Sequence, residues 1–288
     1  ETTFDVETYP FLEDHSIDGV PYLPGVMALE LFAQCSRLLL PDSFVAGFKD
    51  VSFGLPVKLT RPKQKVRVIA KREGNEVKCI MESDLINSEG EIFGQPKQHH
   101  VGIVRLSKTY ESSKKSTIGL PDSGETTHSS NFIYSRFFHG PRFQCHSGLI
   151  KGITFDEGIG ADGAILQRNQ LPNKKQFKLE TENVEIKLES YPMLIEAAFQ
   201  NAGMVTMELS DMQALPVGIS SSSLLRQPES NANLLIRTIC KDISEGVSIH
   251  DAVIIEDNSN KSIIMIIEGI QLKALAPLEE SMRFDLER

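Results

Sequence analysis

Two short stretches of this chain carry residues that could move protons. The first is Phe11-Leu-Glu-Asp-His-Ser-Ile-Asp-Gly-Val-Pro-Tyr-Leu-Pro-Gly25, which sets His15 ahead of an irregular Gly/Pro-rich turn and an apolar run, Val26–Gln34. Histidine has an ordinary pKa near neutrality, so it can serve as base or acid at working pH. Pro24 and Gly25 stand where a helix would begin, with Pro fitted to the first turn and Gly leaving the backbone open to close approach. A helix that is apolar on almost every face is a buried one. It would carry its N-terminal N–H groups, and the positive end of its dipole, inward beside His15. The second stretch, Tyr191-Pro-Met-Leu-Ile-Glu-Ala-Ala-Phe-Gln200, places Glu196 and Gln200 four residues apart in another apolar run. That spacing puts both on one helix face. A buried carboxylate is costly unless it is neutralised or hydrogen-bonded, so Glu196 needs a reason to be there. Plain structural readings stand beside both: a single His serving the fold, and a Glu at a solvated edge or paired with a buried Lys or Arg.

The elements around them follow from the pattern. A first helix is expected from about Val26 to Leu40, stopped by Pro41. Strand-like segments follow at Val45–Leu59, Lys65–Lys71, Glu76–Leu85 and His100–Leu106, alternating with varying clarity at period two. Residues 107–131 are poor in apolar side chains and rich in Ser, Thr, Lys, Gly and Asp, the composition of a linker, with Lys114-Lys115 inside it as a solvated charge pair. The second half is expected to hold strands at Gly148–Phe155 and Gly160–Gln167, a buried helix over Tyr191–Met204 that starts at Pro192 and ends at Gly203, and strands at Ala214–Arg226, Asn233–Cys240, Val247–Ile255 and Ile263–Leu275. An offset of about 166 positions lays Glu196-x3-Gln200 over Glu30-x3-Gln34, each in an apolar helix after a Pro, as in an internal repeat. The pattern alone gives an α+β protein with two similar halves: 1–106, a linker over 107–131, and 132–288.

Composition narrows the functional classes. The 288 residues are 40% hydrophobic and 24% charged, ordinary for a soluble domain with a real core. A net charge of −9 argues against nucleic acid or an anionic membrane as a general partner, so docking an acidic protein would need a local basic patch. No apolar run approaches the ~20 residues of a membrane helix, and no signal peptide opens the chain. Cys35, Cys79, Cys145 and Cys240 are scattered without paired spacing, which fits a reducing cytoplasm and neither a disulfide framework nor a zinc site. His99-His100 looks like a chelating pair but has no Cys or acidic ligand at metal spacing, so no metal is expected. His128, His146 and His250 carry no signal, and Cys145 reads as core. A start at Glu1 rather than Met reads as a piece excised from something longer.

His15-x3-Gly19-x4-Pro24 resembles the His-x3-Gly-x4-Pro motif of dehydratase domains from polyketide and polyunsaturated-fatty-acid synthases. Glu196-x3-Gln200 resembles their second motif, Asp-x3-Gln or Asp-x3-His, with Glu in place of Asp, and single-hotdog fatty-acid dehydratases that pair His with Glu are similar. Phe137-Phe-His139-Gly140-Pro141-Arg-Phe143-Gln resembles Gly-Tyr-x-Tyr-Gly-Pro-x-Phe, retaining Gly140, Pro141 and Phe143 in a form closer to iterative synthases. Leu215-Pro216 is a weaker match to a strand motif of the second half. The resemblance spans about Phe11 to Leu275. It implies a double hotdog, in which each half is an antiparallel sheet wrapped around a long buried helix.

The resemblance also implies a reaction: dehydration of a 3-hydroxyacyl thioester on acyl carrier protein to the 2-enoyl thioester, in the cytoplasm and without a cofactor. His15 would be the base and Glu196 the acid, its carboxyl raised toward neutrality by desolvation. Gly25 N–H would polarise the thioester carbonyl. Gln200 would orient Glu196 or the departing water, and His139 would either line the site or cap its loop. Glu30 occupies the matching first-half position, but no His stands near Thr181 to partner it, so one site is expected and Glu30 is structural. The implied partners are acyl carrier protein with a phosphopantetheine-linked acyl chain, touched by Lys58, Arg61, Lys63 and Lys65, neighbouring synthase domains, and a second copy as a homodimer. Two other readings stay open: a degenerate domain that binds chains or scaffolds a synthase, and a related hotdog that shifts a double bond or templates a cyclisation.

Overall fold

A computed structural model describes residues 1–111, 113–166, 188–229, 231–284 and 286. It divides the chain into two compact units, 1–108 with 139–143 and 172–192, and 109–138 with 144–171 and 193–288.

The first unit contains β1 (Thr2–Phe4), β2 (Ser16–Ile17), β3 (Val20–Pro21), α1 (Gly25–Leu39), β4 (Phe44–Phe53), β5 (Gln64–Glu73), β6 (Glu76–Ser83) and β7 (Lys97–Ser107). Its sheet runs β1-β5-β6-β7-β4 with antiparallel neighbours. Helix α1 packs against β4 to β7, and Val26 through Gln34 are buried without a break. At roughly 1.5–3 kcal/mol for each large apolar side chain, that burial is what holds the helix in place. The expected strand over 45–59 stops at Phe53, because Pro56 cannot donate to a ladder. Residues 54–59 instead brace the segment before α1: Leu23 N–H donates to Val57 O at 3.0 Å and Leu59 N–H to Pro21 O at 2.9 Å.

The second unit contains β8 (His128–Ser129), α2 (Ser130–Tyr134), β9 (His146–Phe155), β10 (Gly158–Ile165), α3 (Pro192–Ser210, from Met193 on), β11 (Met212–Leu224), β12 (Leu234–Ser244), β13 (Val247–Glu256) and β14 (Ile263–Pro277). Its sheet runs β11-β14-β13-β12-β10-β9-β8, again antiparallel. The expected end of β10 at Gln167 lies outside the described residues, as does Thr181. Helix α3 does not end at Gly203 but runs on to Ser210, because Met204, Val205 and Met207 are buried among Ile133, Leu149, Ala161 and Phe284. Gly203 lies inside the helix, and a Cβ there would meet the Phe137 ring at an ordinary contact distance of 3.4 Å. Within residues 107–131, Ile118 is buried against Leu225, Leu235 and Ile239. Lys114 is not a solvated charge; its Nζ donates to Glu268 Oε2 at 2.9 Å and Ser223 Oγ at 3.1 Å.

Candidate active site

His15 is placed by a hairpin. Asp18 and Gly19 have φ of 51° and 74°, the left-handed pair that an Asp-Gly two-residue turn needs, and the turn folds β3 back on β2. Just outside that hairpin, Tyr22 N–H donates to His15 O at 3.0 Å, and His15 Nδ1 lies 3.1 Å from Tyr22 O. A carbonyl only accepts, so Nδ1 carries the hydrogen and Nε2 is the basic nitrogen of the neutral ring. Two residues further on, Pro24 stands at the N-cap of α1 with φ −60° and ψ 141°, and Gly25 opens the helix. A Cβ on Gly25 would lie 3.0 to 3.3 Å from three atoms of the Phe53 ring, so the first turn of α1 is packed closely under that ring.

The segment 139–143 folds with the first unit and closes over the same residues. The His139 ring meets the His15 ring edge-on at 5.6 Å between centroids, and Phe143 meets it at 5.5 Å. Phe143 also packs on Phe11 at 5.9 Å, and both are fully buried. Gly140 N–H donates to Asp14 O at 2.8 Å, and Arg142 donates to Asp14 Oδ2 from both its backbone N–H and its guanidinium at 2.9 Å. Pro141 opens the short 3-10 turn Pro141–Phe143. His139, Gly140 and Phe143 therefore gather on His15 and the residue before it, with the His139 ring against the His15 ring. Pro141 contributes the start of that turn.

The second unit presents Glu196 and Gln200 from α3, 5% and 1% exposed. Gln200 Nε2 donates to Glu196 Oε1 at 2.9 Å. Gln200 Oε1 accepts the Tyr134 hydroxyl at 2.7 Å, and Tyr134 Oη in turn accepts the backbone N–H groups of His146, at 2.7 Å, and of Cys145. Burial pushes the Tyr134 phenol well above its ordinary range. His146 donates from Nε2 to Ala197 O at 3.0 Å, and burial lowers its pKa to about 4, so it stays neutral. Neither Tyr134 nor His146 stood out in the sequence. Tyr134 sits six residues before Gly140, outside the motif's spacing, and His146 is a polar residue at the first position of a strand.

Glu30 repeats the helix geometry, with Gln34 Nε2 donating to Glu30 Oε1 at 2.8 Å, but its surroundings differ. Its carboxylate also accepts Glu189 N–H, Ser190 N–H and the Ser190 hydroxyl, at 2.6 to 3.1 Å. Burial holds its pKa above the ordinary carboxylate value, and these donors offset part of that rise. Such a carboxylate is a fixed anchor for residues 189–190. His99 is engaged too, by Ser83 Oγ and Leu55 O at 2.8 Å each. Among the described residues no cluster of three His, Cys, Asp or Glu could hold a metal, and no helix is long and apolar enough to cross a membrane. Of the basic residues expected to meet a carrier, Arg61 donates to Ile86 and Asn87 carbonyls and Lys65 pairs with Glu1 at 2.7 Å. Lys58 lies over the Tyr22 ring at 5.3 Å from Nζ, and Lys63 is exposed.

Residues 1–83 match the family model described as the polyketide synthase dehydratase domain, in its N-terminal part. No curated protein sequence matches the chain. Among solved structures it is similar to a trans-AT polyketide synthase dehydratase domain from Brevibacillus brevis, at 18% identity and TM-score 0.69 over 95% of this chain and 92% of that one. It is similar to the dehydratase domain from the CurF module of curacin polyketide synthase, at 18% identity and TM-score 0.66 over 95% and 91%. It is also similar to the dehydratase domain of PpsC from Mycobacterium tuberculosis, solved in complex with C12:1-CoA, at 14% identity and TM-score 0.64 over 95% and 92%. The chain thus matches the polyketide synthase dehydratase model over its first 83 residues and shares the double-hotdog fold of the solved dehydratase domains it is similar to.

Proposed function

We propose that this protein is a hydro-lyase that dehydrates a 3-hydroxyacyl thioester, carried on acyl carrier protein, to the 2-enoyl thioester. The observation that carries the reading is the fixed tautomer of His15, which directs its basic Nε2 away from Tyr22 O. His15 Nε2 takes the proton from C2, the C2–H electrons form the C2=C3 bond, and the C3–O bond breaks. Glu196 gives its proton to the departing oxygen, so the products are one enoyl thioester and one water. The Gly25 N–H, at the positive end of the α1 dipole, stabilises the charge that grows on the thioester oxygen. Gln200 holds the Glu196 carboxyl through the 2.9 Å bond. A Glu is one methylene longer than Asp with a similar intrinsic pKa, so it can do the same proton transfer. The complex of the PpsC domain with C12:1-CoA supports a thioester with an apolar chain as the substrate class. Lys58, Arg61, Lys63 and Lys65 are exposed cations offered to an acidic carrier.

The test is turnover of a soluble 3-hydroxyacyl thioester, followed by the absorbance of the conjugated product, in wild type, His15→Ala and Glu196→Gln. Removing a general acid or base costs about 10²–10⁴-fold, so both variants should fall at least that far while melting normally. Unchanged turnover in either removes that residue from the mechanism. If the folded wild type binds thioester but never turns it over, the domain is a chain-binding or scaffolding one.

A further inference from the structure

In the second unit a run of hydrogen bonds ends on Glu196, and its direction is set at the far end. The backbone N–H groups of Cys145 and His146 can only donate, and both point to Tyr134 Oη. That oxygen accepts both, so its one proton goes to the remaining partner, Gln200 Oε1 at 2.7 Å. The amide is thereby oriented, with its oxygen toward Tyr134 and its NH2 toward Glu196 Oε1 at 2.9 Å. Glu196 Oε1 must then accept, and a proton on this carboxyl resides on Oε2.

We propose that Tyr134 is a positioning residue for the acid: by locking the Gln200 amide it commits one Glu196 oxygen to accepting and the other to carrying the transferable proton. The inference rests on the reading of Glu196 as the acid. Without the phenol, the Gln200 amide can turn its oxygen toward Glu196, where it accepts from a protonated Oε1 and holds the proton on the wrong atom. The burial that keeps Tyr134 a phenol preserves its donor role across the pH range of an assay. Gln200 is 1% exposed, so bulk solvent does not reach its amide.

The experiment is steady-state dehydration kinetics with a soluble 3-hydroxyacyl thioester for Tyr134→Phe, Gln200→Ala, the double variant and Glu196→Gln. Tyr134→Phe keeps the ring that packs beside Phe137 and removes only the hydroxyl. By analogy with groups that orient a ligating side chain, its kcat should fall about 10–100-fold with KM nearly unchanged. The double variant should be no slower than Gln200→Ala alone, because the hydroxyl acts only through that amide. A Tyr134→Phe enzyme at wild-type kcat, or losses that multiply in the double variant, overturns the inference. Should Tyr134→Phe fail to fold, Gln200→Leu decides: retained wild-type kcat sinks the inference and a loss of about 10-fold or more supports it. Wild-type turnover in Glu196→Gln would instead remove the acid reading, and this inference with it. An inactive Glu196→Gln beside a fully active Tyr134→Phe would remove this inference alone.

Discussion

Gly140→Ala tests how tightly the segment 139–143 fixes the base. A Cβ on Gly140 would stand 2.6 Å from Asp14 Oδ1 and 2.8 Å from both Asp14 Cβ and Cγ, distances that real Cβ atoms essentially never show. Asp14 cannot easily retreat. Its Oδ2 accepts two bonds from Arg142 at 2.9 Å, and its backbone oxygen accepts Gly140 N–H at 2.8 Å. The strain falls on the residue next to His15. Overpacking of this kind costs about 1–3 kcal/mol, and with three contacts under 3 Å the upper half of that range is expected. For a chain of this size that lowers Tm by roughly 2–4 °C per kcal/mol. A shift of about 1 Å at a catalytic group costs on the order of 100-fold in rate, so turnover should drop more than stability does. The assay is a thermal melt with turnover measured well below the transition. Asp14→Gly removes all three clashing atoms, so Gly140→Ala should cost clearly less in that background. A single variant that melts within about 1 °C of wild type and turns over normally would refute the steric argument.

Two further outcomes follow from buried titratable groups. Glu30→Gln places an amide NH2 against the N–H donors of Glu189 and Ser190, so it should cost about 2–4 kcal/mol in denaturant unfolding while the kcat of the folded fraction stays near wild type. A kcat loss as large as that of Glu196→Gln would contradict the anchoring role. Burial also depresses His100 and His146 to about 4 and His250 to about 3, so the unfolded chain binds protons that the folded one refuses. Stability from these rings is complete above the ordinary histidine pKa of about 6.5 and is lost as pH falls from there toward 4, on the order of 3 kcal/mol per ring. Urea titrations between pH 7.5 and 4.5 should show the slope, and His250→Gln should flatten it; a level profile would mean the rings carry no such linkage.

Much of this architecture was legible because helices and turns announce themselves locally. The run Val26–Gln34 has no polar face except Glu30 and Gln34, and there the Gln34 amide donates to Glu30, whose carboxylate also accepts from residues 189 and 190. The Asp18-Gly19 pair names its own turn, and Glu196 with Gln200 share a face because four residues make about one helical turn. What stayed hidden depends on partners distant in sequence. Nothing near Tyr134 says that its hydroxyl meets Gln200, sixty-six residues on, nor that Lys114 will find Glu268. Gly203 signals a helix end because glycine usually stops helices, whereas burial of Met204, Val205 and Met207 against residues distant in sequence carries the helix past it. The strand expected through Leu59 failed for the opposite reason: the local signal at Pro56 was strong, but the apolar residues around it face the segment before α1 rather than a ladder.

The most direct measurement is intact mass spectrometry of a carrier protein loaded with a 3-hydroxyacyl chain, incubated with wild type and with His15→Ala. Loss of one water, about 18 Da, is expected with wild type and none with the folded variant. Water loss that persists undiminished in His15→Ala, or that never occurs with wild type across several chain lengths, would contradict the proposed mechanism.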